Sequence, residues 1–384
     1  MRSLIPVYLM NFLLAVSTTI GMTLIPLLAT EKLGLSLFVF GIIEGSTELL
    51  SNILRLVTGN LFDRLKNRKS LFIFPTTMAL VSKMILFFSN AVTLLLAKII
   101  ERASNGAFAA PRDAYVGTVS ENKGTALGWL SVTKTFGCII GPLLVSISTW
   151  IFGPLMENIY MLIFLACSMC FISFIIAFRV NTEHLESNSK RERYKFEELK
   201  ASFKPIIPLF ILTFFFFLGR FNDGTILIFL KHQGFPEWYY LATMSFFNAI
   251  MLVISPCLGY WIDNKKEVLI LLITIIALVI FNILYFNIKF LPWIFACLGL
   301  VMWGIQRAGA QIIFTAMIFK KIPTKYYGTA VGIFSVLSGT AFFIASTICG
   351  YLAQNNFSDI FLFSGFFSLS SLIIAAFMKY QKNL

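Results

Sequence analysis

Thirteen ionisable side chains interrupt stretches that are otherwise apolar for about twenty residues: Glu44, Glu48, Arg55, Lys83, Lys98, Glu101, Arg102, Arg112, Asp113, Lys134, Arg220, Asp223 and Arg307. In a lipid-spanning segment, each such charge costs about 2.5–3.5 kcal/mol at the centre by insertion scales, so each needs a partner or a job. The chemistry open to them is of two kinds. A desolvated carboxylate such as Glu44, Glu48 or Asp223 can hold a proton in one conformation and release it in another. Guanidinium and ammonium groups hold anions, and here the basic groups outnumber the acidic ones, eight to five. That excess points to an anionic or carboxylate-bearing ligand. Glu44, Glu48, Asn52 and Arg55 follow helical i, i+4 and i+3 spacing along one stripe, and Lys98, Arg102 and Asn105 do the same. Such stripes face protein or water, not lipid. For Glu44, Glu48, Arg102, Lys134, Asp223 and Arg307, which lie deep, the two open roles are a substrate and proton cavity or purely structural pairing. Lys98 is open to a cavity role or to snorkelling outward, and Lys83 has no evident partner in sequence. Phe214–Phe217 and Phe221 either line an amphipathic pocket or face lipid, and lipid is the expectation for most.

The elements that position these residues follow from composition. Of 384 residues, 58% are hydrophobic and 13% charged, against about 45–50% and about 25% in soluble domains. The apolar runs are unbroken on every face, unlike the alternating strands of a barrel, so the class is an all-α polytopic membrane protein. Twelve spans are expected near 5–28, 36–58, 70–90, 92–117, 125–149, 157–179, 205–231, 237–261, 267–286, 290–317, 327–351 and 357–378. No cleavable signal peptide is expected, because the first run is too long and lacks a small-residue cleavage site.

The formal charge of +13 does not mark a nucleic-acid binder, because it is sorted by side. With both termini inside, twenty Lys and Arg fall in inner loops and three (Lys32, Lys231, Lys289) in outer ones, the positive-inside pattern. The six cysteines sit within apolar runs. Cys167 and Cys170 lack a second pair or a nearby His, and no metal or other cofactor is expected. The hydrophilic stretch after 180 divides the chain into a six-helix half at 1–180, a cytoplasmic linker at 181–204 and a second half at 205–384.

The halves echo one another. Gly59…Asp63 returns as Gly259…Asp263, Gly124-Thr-Ala-Leu-Gly128 as Gly328-Thr-Ala-Val-Gly332, and Arg102 as Arg307, at offsets of 200, 204 and 205. Parallel repeats of this kind build transporters with a binding site at the membrane midplane.

On these residues the chain resembles the major facilitator superfamily. The loop after the second run resembles the signature G-x-L-a-D-R-x-G-R-R, matched by Gly59, Leu61, Asp63, Arg64, Arg68 and Lys69, with Asn67 in place of the second Gly. Gly137-Cys-Ile-Ile-Gly141-Pro142 resembles the antiporter-type G-x-x-x-G-P motif of the fifth helix; such spacing lets helices approach closely. Glu44-Gly-Ser-Thr-Glu48 and Ala110-Pro-Arg112-Asp113-Ala114 resemble a poorly characterised bacterial branch, from which Asn105, Phe108 and Lys134 depart. The resemblance implies a cytoplasmic latch in which Gly59 permits close approach and Asp63 pairs with basic groups or a helix N-terminus, while Arg64 and Arg68 hold the inner face. Arg112 and Asp113, close to Asp63 in depth, read as part of that gate, with substrate contact the other role open to them.

The expected function is therefore secondary active transport of a small organic molecule across an inner or plasma membrane, by a monomer, with the proton as coupling ion. The substrate is either an anionic metabolite such as a carboxylate-type, siderophore-like metal chelator, or a lipophilic drug leaving by multidrug efflux. No G-x-x-x-x-G-K-[ST] loop is present, so the chain carries no ATPase of that type. A membrane enzyme or receptor is the competing class. The edge clusters Asp63-Arg64 and Arg112-Asp113 offer no nucleophile–base pair for it.

Overall fold

The computed structural model describes residues 4–64, 69–88, 90–120, 122–180, 203–264, 266–323 and 326–380. Their regular elements are all helical: α1 (Ile5–Leu27, continued by a π-helical turn, Leu28–Lys32), α2 (Leu37–Arg64), α3 (Ser70–Ile85), α4 (Ala91–Val119), α5 (Lys123–Phe152), α6 (Leu155–Ala177), α7 (Ile207–Leu218), α8 (Asp223–His232), α9 (Glu237–Asp263), α10 (Glu267–Phe286), α11 (Pro292–Lys321), α12 (Tyr327–Asn355) and α13 (Ser358–Tyr380). Among the described residues, 11 segments are long and apolar enough to cross a membrane, α7 and α8 counting as one. The twelfth position belongs to α4, whose 29 residues suffice in length but carry Lys98, Glu101, Arg102, Arg112 and Asp113. The all-α, twelve-span architecture is the one expected.

Lipid dictates the local solutions. Many hydroxyls inside spans donate back along their own helix, as Thr19 does to Ala15 O at 2.7 Å, Thr213 to Leu209 O at 2.8 Å and Thr274 to Ile270 O at 2.7 Å, which satisfies these donors without water. The N-terminus of α4 is closed by a reciprocal cap: Asn90 Oδ1 accepts from Thr93 N–H at 2.9 Å, and Thr93 Oγ1 from Asn90 N–H at 3.0 Å. Between α5 and α6, Gly153 takes φ +92°, a conformation open chiefly to glycine, and Pro154 then starts α6.

One expected span is not continuous. Over 205–231 the helix stops at Leu218, leaves helical geometry across Gly219–Asn222 and resumes at Asp223. Gly219 weakens the helix, while Asn222 and Asp223 compete with the backbone and favour a helix start. The carbonyl of Gly219 accepts from Ser364 Oγ of α13, so the break does not leave it unpaired.

By internal contacts the chain forms two compact units. The first holds Met1–Ser36, Ser46–Lys190 and Asp223–Asn248; in it α1 packs on α5 and α6, and α3 on α4 and α6. Its later segment is tied in by Ser245 Oγ donating to Ile139 O at 2.6 Å and Ser146 Oγ to Trp238 O at 2.7 Å, and by an ion pair between Lys231 and Glu31. The second unit holds Leu37–Gly45, Arg191–Asn222 and Ala249–Leu384; α10 packs on α11 and α13, and α7 on α12 and α13. The first turns of α2 press on α12 in this unit. A Cβ on Gly41 would stand 2.3 Å from Ser346 O, and one on Gly350 2.4 Å from Leu37 O, so the small residues let two backbones meet.

Candidate substrate and gate residues

The stripe on α2 resolves into three different partnerships. Glu44, almost fully buried in the second unit, accepts from Asn222 Nδ2 at 2.6 Å. In the first unit, Glu48 pairs with Arg102 of α4 at 2.9 Å, and Arg55 with Asp113 at 3.2 Å. The periodicity placed these carboxylates and cations on one face, but not the helices that would answer them.

Arg112 is held on three sides. Its Nε and Nη2 donate to Asp113 Oδ1 at 2.9 and 2.8 Å, and its Nη1 to Asn11 Oδ1 at 2.6 Å. Phe108 lies 5.6 Å from the guanidinium. Asn11, buried on α1, donates in turn to Leu130 O at 2.8 Å and Thr133 Oγ1 at 3.1 Å of α5. One carboxamide thus joins α1, α4 and α5. Sequence reading passed over Asn11; the available signal was an amide in a first span that carries no other amide and no charge.

Three of these charges stay open although they sit on spanning helices, while the Arg102 and Arg112 side chains are only 12% and 11% exposed. Side-chain exposure is 50% for Arg55, 35% for Glu48 and 33% for Asp113. Lys134 of α5 is also exposed, within electrostatic reach of Arg112, Arg55 and Asp113. Four cations (Arg55, Arg102, Arg112, Lys134) and two carboxylates (Glu48, Asp113) therefore form one polar face of the first unit, with a formal excess of two positive charges. Charges of this kind line water or protein in membrane proteins.

Two other lysines are placed differently from expectation. Lys83 has a partner after all, Glu101 of α4 at 2.5 Å, and both are almost wholly buried. Lys98 does not snorkel outward: it is fully buried on α4, where packing of the helix directs it inside.

In the second unit, the Arg220 guanidinium lies over Phe217 at 5.5 Å and Trp303 at 5.9 Å. Phe221 is buried among Trp303, Phe281 and Phe361, at ring separations of 5.4, 6.1 and 6.0 Å. Phe216 and Phe221 are fully buried, while Phe214, Phe215 and Phe217 are half-buried; aromatic rings on α10, α11, α12 and α13 meet Phe221, Phe216, Phe217 and Phe215 respectively. Arg307 is half-buried on α11. Beside it Gln306 is fully buried, with no hydrogen-bond partner for either amide atom among the described residues, and sequence reading missed it. Asp223 is buried in the first unit, at the start of α8.

The helix of α2 runs on through Gly59, Asp63 and Arg64, while Arg68 lies outside the described residues, as does the expected linker apart from 203–204. The α5 motif is a packing surface. A Cβ on Gly137 would stand 2.7 Å from Phe12 O, and one on Gly141 2.2 Å from Thr19 Oγ1 and 2.7 Å from Val16 O; Pro142 follows within the same helix. Among the described residues, no group of three or more His, Cys, Asp or Glu converges as a metal site.

Comparison with known proteins agrees with this architecture. An uncharacterized MFS-type transporter of Methanocaldococcus jannaschii is 24% identical over 377 residues, 96% of this chain and 92% of that protein. Among solved structures, a POT family transporter in complex with a thioalcohol-conjugated peptide is similar with a TM-score of 0.82 at 12% identity, over 99% of this chain and 96% of that one. The nucleoside transporter NupG gives 0.76 at 14%, over 99% of each chain. The human organic anion transporter MFSD10 (TETRAN) gives 0.71 at 15%, over 97% of this chain and 99% of that one. At such identities these likenesses speak for the fold. The profile of the Major Facilitator Superfamily matches residues 7–346, and the chain belongs to that superfamily of membrane transporters.

Proposed function

We propose that this protein is a secondary active transporter of a small organic anion, with a polycarboxylate or carboxylate-type metal chelator as the substrate class. The observation that carries this reading is the polar face of the first unit, where Arg55, Arg102, Arg112 and Lys134 outnumber Glu48 and Asp113. Arg112, held by Asn11 and Asp113, and Arg55 and Arg102, held by carboxylates, are preorganised, so an arriving carboxylate meets donors that need little rearrangement. Glu44, Glu48 and Asp223 are the candidate proton carriers. The Glu48–Arg102 pair offers a coupling device: a substrate anion on Arg102 frees Glu48 to take up a proton. Alternating access would move the halves 1–180 and 205–384 about the linker 181–204, with Gly59, Asp63, Arg64, Arg68, Arg112 and Asp113 as the cytoplasmic gate. The proposed setting is a bacterial inner membrane with both termini cytoplasmic. The α5 motif, similar to that of antiporters, favours export.

A second reading, multidrug efflux, draws support from the aromatic group Phe217, Phe314 and Phe334, whose rings lie 6.0–6.2 Å apart beside Arg220. Purified protein in liposomes carrying an internal pH dye separates the two. The first reading expects proton movement when tricarboxylates or carboxylate chelators are added, reduced in Arg102→Gln. Movement with lipophilic cations alone would favour efflux of drugs, and movement with neither panel would count against both.

A further inference from the structure

The Lys83–Glu101 pair lies away from the open polar face, and its position suggests what it does there. It joins α3 to α4 at 2.5 Å with side chains 1% and 3% exposed. The ammonium is seated against α1 where Gly21 leaves room: a Cβ there would stand 2.5 Å from Lys83 Nζ and 3.3 Å from Glu101 Oε1. From α6 the thiols of Cys167 and Cys170 complete the electrostatic neighbourhood of Lys83. The same stripe of α4 makes further contacts with α3: Ser104 Oγ donates to Pro75 O at 2.7 Å, and Phe72 meets Phe108 and Tyr115 at 6.1 and 5.4 Å. At about 100° per residue, Glu101, Phe108 and Tyr115 point one way, and Arg102 and Asp113 point about 100–120° further round. That second stripe meets α2, through Glu48 with Arg102 and Arg55 with Asp113. Aromatic contacts tolerate some rotation of a helix; a buried ion pair with no water to replace either partner does not.

We infer that Lys83 and Glu101 are positioning residues which fix the rotation of α4, and so set Arg102 and Asp113 against α2. A buried ion pair is seldom worth more than an apolar pair of similar volume, so its contribution is to orientation rather than to stability. The consequence for substrate rests on the proposed anion-binding face, but the rotation of α4 can be read without any substrate.

The test is crosslinking in a background with all six cysteines replaced. Glu48→Cys and Arg102→Cys are introduced together and bridged by a short bismaleimide in lipid nanodiscs, and thermal melting of the same samples is recorded. Replacing the pair by Lys83→Met with Glu101→Leu, an apolar pair of similar volume, is expected to leave melting equal or higher and to lower the crosslinking rate about tenfold, since the thiols must be presented together. The reversed pair, Lys83→Glu with Glu101→Lys, and the conservative Lys83→Arg are expected to keep crosslinking. Unchanged crosslinking in the Met/Leu protein would overturn the inference. Failure of that protein to fold would also overturn it, because the pair would then hold the fold and not the orientation.

Discussion

Replacing Asn11 by Leu changes little in volume and removes one hub of the polar face. The Arg112 guanidinium would lose a charge-assisted bond of 2.6 Å, and α5 would lose donors to Leu130 O and Thr133 Oγ1. A hydrogen bond to a charged group contributes about 1.5–3 kcal/mol and a neutral one about 0.5–1.5. Some of the loss is cushioned: Arg112 keeps Asp113, and Leu130 O still accepts from Thr133 Oγ1 at 2.9 Å. The net expectation is a destabilisation of about 2–4 kcal/mol. Thr133→Val, which removes one acceptor from Asn11 and leaves Arg112 untouched, should cost no more than about 1.5 kcal/mol. Both are measured as denaturant or thermal unfolding of the purified protein in a mild detergent, followed by intrinsic Trp fluorescence. If Asn11→Leu unfolds with the wild type, or no earlier than Thr133→Val, then the carboxamide does not brace α1, α4 and α5, and the reasoning about a preorganised Arg112 fails.

Gly141→Leu should disrupt the seating of α5 on α1, since its Cβ alone would meet Thr19 Oγ1 at 2.2 Å; overpacking of about 1–3 kcal/mol is expected in the same unfolding assay. Asn222→Leu takes a donor from the buried Glu44 carboxylate and should destabilise by about 1–3 kcal/mol, with Glu44→Gln in the same chain recovering part of the loss. Lys320→Ala removes a pair with Glu267 whose lysine is 62% exposed, so the change should stay below about 1 kcal/mol and shrink further in high salt.

Much of this fold was legible because lipid leaves so few solutions. A span must be apolar for about twenty residues and must satisfy its own backbone, so twelve spans could be read from the chain without knowing how any two pack. Glu48 and Arg55 were placed on one stripe for the same reason: helical periodicity is a property of one helix. What stayed hidden depends on pairs of helices. Lys83 lacked a partner because Glu101 answers it from α4 only once α3 and α4 are docked. Lys98 read as a snorkelling candidate because hydropathy does not state which side of α4 is covered. Gly219–Asn222 disappeared into a long apolar run, where a few polar residues scarcely alter the average. Asn11 and Gln306 are uncharged, and a search led by charge passes over amides.

The central claim is that the polar face of the first unit takes an organic anion. Its most direct test is equilibrium binding to the purified protein in nanodiscs, with tricarboxylates and carboxylate chelators titrated by calorimetry against the wild type and against Arg102→Gln, Arg112→Gln and Lys134→Gln, each first shown to be folded by its melting curve. The account predicts saturable binding of at least one carboxylate ligand that weakens at least about tenfold, roughly 1.4 kcal/mol, on losing Arg102 or Arg112. A ligand bound equally well by all four proteins would contradict it.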